Sequence, residues 1–575
     1  MHRTTSEKML HQLALHPLSS ARQVARYTGD TLSAVRSRLA RLEKEGWIEG
    51  IHPHEAILPV RRLYLPTARG LSRLAEMEGL GPEEYARRVS LSRSRLLTLA
   101  VRAEAAFQAR NVILGLGRLG SLMRGWRAMA RISTPKGPLL LDGAATYKFQ
   151  GRIVQIALEI DSGPRAEVQI EKLYSLLRRY PALQLVVVCW SQAARERYLS
   201  LIRREALALG TALLPAYIVL GSDLIGEGYR APIWYSNYEK RCTAALSVSP
   251  PPGKLHLPWP PAEGARSFRR VLSPSLSELA EMARSGNFPK TLPKRERLAG
   301  LALALSPLQK RILELVQSHP LLNETDLAIL SEHSTTEVKA QARQLVNWEM
   351  LRVPRQDELG RDCFALGPWG MAYLAARAGW GTAVMSYARA RGWTLTRDGS
   401  PRLGKLLANF DHTRCLNSLL VALKSDPDIE LLEWRSEPDT RTCFPSGNKW
   451  YCVKPDARST VRVRGREYHL ALEFERTTTS YRKLHAKILA YYRWWLAGYH
   501  RSDAPHVLIL MVTTGERRAR AIVGMVQQVA RELGCRPIPL LVTWQKQLIM
   551  SGMLAPIWLG PLDDRPRRCF DGGER

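Results

Sequence analysis

No stretch of the sequence reaches the roughly 20 consecutive apolar residues that a membrane-spanning helix needs, and the first residues lack the charged-then-apolar pattern of a secretion signal. Both absences give the expectation of a cytoplasmic protein without a membrane partner. Cysteine is sparse. The 8 cysteines (Cys189, Cys242, Cys363, Cys415, Cys443, Cys452, Cys535 and Cys569) are scattered, with no Cys-x-x-Cys and no histidine at zinc-finger spacing, so neither a structural zinc site nor a disulfide framework is expected. Nor is the composition extreme. Hydrophobic residues at 45% and charged residues at 24% exclude disordered and fibrous classes, and each part of the chain can bury a core.

What the chain does have is length and positive charge. Its 575 residues suit three or four domains rather than one. Lys and Arg number 84 against 53 Asp and Glu, a net charge of +31 spread along the whole chain. A polyanion is the natural partner, and nucleic acid fits best, because neutralising phosphates releases condensed counterions.

A Pro-rich stretch, Ser249 to Pro261, reads as a stiff linker near the middle, and the sequences on either side repeat each other. His16-Pro17-Leu18 matches His319-Pro320-Leu321, with Val24-Ala25, Val35 and Leu42 falling on Leu327-Ala328, Val338 and Leu345. Asp142, Gly151, Glu159 and Asp161 fall on Asp456, Gly465, Glu473 and Glu475 without a gap. Ala231-Pro232-Ile233-Trp234 returns as Ala555-Pro556-Ile557-Trp558, preceded in both copies by Leu-Ile and Gly.

In the first copy, residues 6–15, 20–27 and 31–45 have the apolar spacing of three short helices. The third begins at Thr31, a good N-cap, and places Val35, Leu39 and Leu42 on one face. Its other face carries Ser33, Arg36, Ser37 and Arg41, the short polar and Arg side chains that a recognition helix offers to the major groove. An extended segment to about Leu65 reads as a wing with Arg61 and Arg62 available for phosphates, and a further helix closes the module. The second copy repeats this over 306–317, 323–331 and 335–349, with Thr335, Thr336, Lys339 and Arg343 outward and Arg352 to Phe364 as the wing. A protein-interaction platform is the alternative use of such a module.

Further along, residues 138–142 predict a strand ending in Asp142, and 146–150 with 153–161 predict a hairpin turning at Gly151-Arg152. Side chains alternate along a strand, so Glu159 and Asp161 share a face that Asp142 can approach from the neighbouring strand. Clustered carboxylates suit Mg²⁺ or Mn²⁺, ions that support phosphodiester cleavage. Asp456, Glu473 and Glu475 repeat the pattern.

This order of acid, hairpin, acid-x-third group, helix and strand resembles the PD-(D/E)xK nuclease superfamily, with Pro455-Asp456 as its first two letters. Where that superfamily has lysine, this chain has Asp161 and Glu475, and the resemblance implies that Lys172 and Lys487, on the following helices, take the lysine's place. Taken whole, the chain is similar to the replication-relaxation family of plasmids and integrative elements. The similarity rests on Glu159-Ile160-Asp161-Ser162-Gly163, Lys172-Leu173 and Tyr180 in the first copy, and on Glu473-Phe474-Glu475-Arg476-Thr477, Lys487 and Tyr491 in the second. His412 matches the family's helix histidine, where the first copy has Thr98. The resemblance implies a role in replication or transfer of mobile DNA.

The fold expected is thus α/β and multidomain, a tandem duplication of a winged helix-turn-helix and a restriction-endonuclease-like α/β domain. The expected bounds are 1–80 and 81–245 for the first copy, 246–300 for a Pro-rich linker and helix, and 301–380 and 381–575 for the second. Double-stranded DNA is the expected partner, together with other proteins of a mobile-element machinery. Two readings stay open: a Mg²⁺- or Mn²⁺-dependent DNA endonuclease, using Asp142, Glu159, Asp161 and Lys172 or Asp456, Glu473, Glu475 and Lys487, and a non-catalytic regulator or scaffold. Burying the acids unpaired would cost several kcal/mol, unless arginines pair with them. Gly115-Leu116-Gly117-Arg118-Leu119-Gly120 matches a dinucleotide-binding fingerprint, but no βαβ unit surrounds it and the second copy lacks it, so no nucleotide cofactor is expected.

Overall fold

The computed structural model describes residues 4–52, 62–118, 121–122, 125–149, 152–161, 166–177, 179–180, 183–237, 241–243, 274–289, 291–380, 383–436, 440–446, 449–476, 480–498, 507–563 and 565–570. The expected Pro-rich linker lies outside these. The architecture is mixed α/β and divides into two compact units, residues 1–307 with 369–394 and residues 308–368 with 395–575.

Unit 1 opens with α1 (Thr5–Leu15), α2 (Ala21–Thr28) and α3 (Leu32–Lys44). Each is started by a side-chain cap. Thr4 and Ser20 form capping boxes with Glu7 and Gln23, and Thr31 accepts from the Ala34 amide. Leu10, Leu13, Val24, Val35, Leu39 and Leu42 are buried, as their helical spacing requires. An antiparallel pair follows, β1 (Ile48–Ile51) with β2 (Leu63–Pro66), and then α4 (Ala68–Met77). The helices and the extended pair agree with the sequence periodicity to within a residue or two.

Helices α5 (Pro82–Arg88), α6 (Arg93–Val101) and α7 (Ala103–Leu116) lead to the main sheet. Its strands are β3 (Ser121–Leu122), β4 (Arg127–Thr134), β5 (Gly137–Phe149), β6 (Arg152–Ile160), β7 (Leu183–Cys189), β8 (Ala216–Leu220), β9 (Trp234–Ser236) and β10 (Arg241–Thr243), ordered β10-β9-β8-β7-β6-β5-β3 with β4 also on β5. The β4–β5–β6 pairs are antiparallel and β6–β7–β8 parallel. Parallel neighbours cannot be joined by a tight turn, so α8 (Ala166–Tyr174) and α9 (Gln192–Leu209) make the crossovers, and α10 (Gly221–Glu227) follows β8. Every residue of β7 is buried, the pattern of a strand covered on both faces. Helices α11 (Leu276–Ser285) and α12 (Lys294–Ala304) also belong to this unit.

Unit 2 repeats the plan. Its small module comprises α13 (Pro307–Ser318), α14 (Glu324–Ser331), α15 (Thr335–Asn347) and the antiparallel pair β11 (Leu351–Gln356) and β12 (Asp362–Leu366). Then come α16 (Pro368–Arg377) and α17 (Val384–Ala390), which group with unit 1 from Trp369 onward, and α18 (Gly404–Ala408) and α19 (Phe410–Ser425). Its sheet has the order β13 (Ile429–Ser436), β16 (Ala457–Val463), β17 (Arg466–Glu475), β18 (Val507–Thr513) and β19 (Leu540–Trp544); β14 (Thr442–Ser446) pairs with β15 (Lys449–Val453) apart from it. The crossovers are α20 (Tyr481–Leu496) and α21 (Glu516–Glu532), and α22 (Gln545–Ser551) follows β19.

The internal repeat extends to backbone geometry. Leu18 and Leu321, each the third residue of a His-Pro-Leu sequence, are left-handed at φ 61° and 68°. A leucine holds that conformation only where its surroundings fix it, and in both places an arginine does so: Arg110 Nη1 donates to the Leu18 carbonyl at 2.7 Å and Arg414 Nη1 to the Leu321 carbonyl at 2.9 Å. Trp234 and Trp558 are fully buried, and each indole N–H donates to the carbonyl of Tyr229 or Met553 at 3.3 and 3.0 Å, so the Ala-Pro-Ile-Trp repeats serve packing.

One cysteine expectation is corrected. Cys443 and Cys452 form a disulfide, because the β14–β15 register sets them directly opposite with Cα atoms 4.1 Å apart. Spacing along the chain does not reveal that pairing, since it depends on which strands meet. Gly115 and Gly117 sit at the C-terminal end of α7 rather than in a turn between strand and helix. A Cβ on Gly115 would come within 2.5 Å of the Tyr229 ring, so that glycine admits a packed aromatic.

Gly46 and Glu349 occupy equivalent places after α3 and α15, at φ 73° and 55°. Gly46→Ala is expected to lower the urea midpoint by the equivalent of about 1 kcal/mol. Glu349→Ala keeps a side chain where one is already accommodated, and is expected to cost less than about 0.5 kcal/mol. Equal losses in the two variants would show that the left-handed conformation is not what distinguishes the sites.

Candidate functional site

In unit 2, Asp456 immediately precedes β16, and its Oδ2 accepts the Phe474 amide of β17 at 2.9 Å. Glu473 and Glu475, two residues apart on β17, are 0% and 2% exposed. Helix α20 then supplies the partners. Lys487 and Tyr491 are one turn apart, so they face the same way: Lys487 Nζ lies 2.7 Å from Glu473 Oε2, and the Tyr491 hydroxyl donates to Glu473 Oε1 at 2.7 Å. Lys487 is also 3.8 Å from Glu475 Oε2, and Arg518 of α21 lies 3.5 Å from Glu475 Oε1. His412 of α19 reaches Asp456 Oδ2 at 3.2 Å. The lysine that the nuclease resemblance seeks on the following helix is therefore at the acids in this unit.

Burial governs the electrostatics. It pushes the Glu473 carboxyl up to about 8, a rise that the Lys487 charge opposes and the neighbouring Asp456 reinforces. Burial also pushes Asp456 up, but the hydrogen bond from His412 and the Lys487 charge outweigh it and leave it at about 2. Lys487 is raised by its carboxylate neighbours against burial, and the buried Tyr491 phenol is raised well above its ordinary value.

The corresponding acids of unit 1 have other partners. Asp142 Oδ2 accepts the Ile160 amide at 2.8 Å, as Asp456 does in its own unit. The cation at its other oxygen is Arg102 Nη1, 2.6 Å away, in an ion pair exposed by only 1% and 0%. The Arg102 Nε also donates to the Arg377 carbonyl at 2.8 Å. Thr98, aligned with His412, turns its hydroxyl to the Ser94 carbonyl of its own helix. Glu159 is 2% exposed. Asp161 is held by Arg197 at 2.7 Å, and Lys172 Nζ donates to the Pro138 carbonyl at 2.7 Å. Arg102 and Arg518 carry no sequence signal, because each comes from an element whose approach to the strand ends is set only by packing.

The expected DNA-facing residues lie on two helices. Ser33, Arg36, Ser37 and Arg41 are exposed on α3, as are Thr335, Thr336, Lys339 and Arg343 on α15. Three of the expected cations have acidic neighbours: Arg41 pairs with Glu45 at 2.8 Å, Arg62 with Glu43 at 2.5 Å, and Lys339 lies 3.8 Å from Glu324. Arg61 lies outside the described residues.

Among the described residues no group of three or more His, Cys, Asp and Glu side chains is arranged to hold a metal ion. In unit 2 the hard carboxylate oxygens suit Mg²⁺ chemically, but both Glu473 oxygens are taken by Lys487 and Tyr491. As they stand, these side chains do not fit the ion. No protein-family model matches the chain, and no curated protein shows significant similarity to it.

Glu473 is the group to titrate. Its folded pKa lies above the ordinary 4.5, so the stability it confers is full below about pH 4.5 and lost as pH rises through about 8. The stability of the wild type relative to Glu473→Gln, read from urea midpoints, is expected to fall across that window. A difference that stays flat from pH 4.5 to 8 would mean the carboxyl is ionised throughout.

Proposed function

We propose that this chain is a double-stranded DNA-binding protein of a mobile genetic element, built from two winged helix-turn-helix modules and two restriction-endonuclease-like α/β domains. The observation that carries the DNA reading is the pair of matching helix faces. α3 and α15 each bury one apolar stripe, Val35, Leu39 and Leu42 or Val338, Ala342 and Leu345, and expose short polar and basic side chains opposite. A helix after a short turn, followed by a two-stranded sheet, suits entry into the major groove with strand residues on the backbone. The net charge of +31 supplies the sequence-independent attraction. Assignment to the replication-relaxation family, and so to mobile DNA, rests on the resemblance of the motifs around Glu159 and Glu473.

A second reading, phosphodiester cleavage, is favoured by Lys487 beside Glu473 and Glu475 in unit 2. Under that reading Mg²⁺ or Mn²⁺ would be the cofactor, Lys487 and Tyr491 would have to release the Glu473 oxygens to admit it, and the activity would belong to unit 2. Under the other, the Lys487 ammonium is the resident countercharge and the domain is a scaffold.

Gel-shift titrations on duplex DNA are expected to give salt-sensitive binding. Arg36→Ala/Arg41→Ala and Lys339→Ala/Arg343→Ala should each weaken it about tenfold or more and reduce the slope of log affinity against log salt. Unchanged binding in both double variants would exclude these helices as readers. Nicking of supercoiled plasmid with Mg²⁺ or Mn²⁺ separates the two readings of unit 2: a nuclease loses activity with Glu473→Ala while binding persists, and a scaffold never cuts.

A further inference from the structure

Unit 1 joins β4 to β5 through a tight turn in which Thr134 pairs with Gly137. In unit 2 the corresponding strands β13 and β16 are separated by the β14–β15 hairpin, which pairs with no other strand among the described residues. One face of this hairpin is anchored. Phe444 is fully buried, Val453 is nearly so, and both pack in the cluster that contains Leu484, Ile488 and Tyr491 of α20. Arg493 of α20 stacks over the Tyr451 ring at 4.5 Å, and Arg458 donates to Thr442 Oγ1 at 2.7 Å.

The residues that alternate with these form the opposite face, and there Trp450 is 74% exposed, opposite Pro445 in the register. The next same-face pair along the ladder is the Cys443–Cys452 disulfide, with Arg441 Nη2 3.3 Å from Cys452 Sγ. Arg441 and Lys454 are exposed around it. An indole left this open forgoes a large burial gain, while the staple and the anchored face hold it in one place. Rigid presentation of a flat aromatic amid cations lowers the ordering cost of binding an anionic partner with planar groups.

We propose that this hairpin is a base-stacking finger: Trp450 stacks on an unpaired base of DNA while Arg441 and Lys454 meet the flanking phosphates. The proposal rests on the DNA-binding reading and adds to it a preference for unpaired or distorted strands beside α20, the helix that carries Lys487. A protein partner would also bury an exposed Trp, but the surrounding cations and the net charge of +31 favour a polyanion.

The test uses the full chain with two fluorescent probes, a 20-base-pair duplex and the same sequence with a central three-nucleotide bulge containing 2-aminopurine. Trp450→Ala is expected to bind the bulged probe about tenfold more weakly and to abolish the change in 2-aminopurine emission. Trp450→Phe should retain most of both, and intact-duplex affinity should change less than twofold. Cys443→Ser/Cys452→Ser is expected to weaken bulge binding while leaving duplex binding alone. Wild type that binds neither probe overturns the DNA-binding reading. Wild type that binds both, with Trp450→Ala matching it on the bulge, overturns the finger alone. Self-association lost in Trp450→Ala with DNA binding intact would also overturn it, in favour of a protein interface.

Discussion

A carboxylate within β5 or just before β16, closed over by the amide of the adjacent strand, is the constraint around which each unit's polar chemistry is arranged. Asp142 holds the Ile160 amide and Asp456 the Phe474 amide in the same way. An aspartate taken from water at that point requires a countercharge, because an unpaired buried ion costs several kcal/mol. The identity of the countercharge then decides what the surrounding acids can do.

In unit 1 the answer is Arg102, a guanidinium that stays charged, in an ion pair almost wholly removed from solvent. That arrangement is static: breaking it by removing one partner would strand the other. In unit 2 the answer is divided between His412, at 3.2 Å from Asp456, and Lys487, whose charge acts on Asp456 and which pairs with Glu473 and Glu475 as well. The result is one partly exposed ammonium shared by two buried carboxyls. The two units thus differ in the residue that meets the equivalent aspartate.

Much of the local structure was legible in the sequence. Thr31 with Val35, Leu39 and Leu42 gave α3 its start and its buried face, and the acid-x-acid ends of β6 and β17 gave the strands that carry Glu159 and Glu473, because caps, periodicity and strand alternation are local properties. Lys487 and Tyr491 were legible as a pair through their spacing and the family resemblance. Arg102 and Arg518 were not, since each is brought to the acids by the packing of a separate helix, and the alignment that set Thr98 opposite His412 pointed to the wrong residue. Cys443 and Cys452 were missed for a related reason: a disulfide follows strand register, and the β14–β15 hairpin has no counterpart in the first copy that could have revealed it.

By itself the sequence determined the internal repeat, the bounds of α1 to α3 to within a residue or two, the basic character and the acids two residues apart at the ends of β6 and β17. These follow from residue type and spacing over at most a few turns or strand pairs, whereas the strand expected to end at Asp142 runs on unbroken to Phe149. Only the tertiary structure decided which cation neutralises each aspartate, which carboxyl burial pushes up and which aromatic stays in solvent. Those outcomes depend on burial and on contacts between residues tens to hundreds of positions apart, where an ångström of separation or the loss of water changes the electrostatic energy by more than any local preference can.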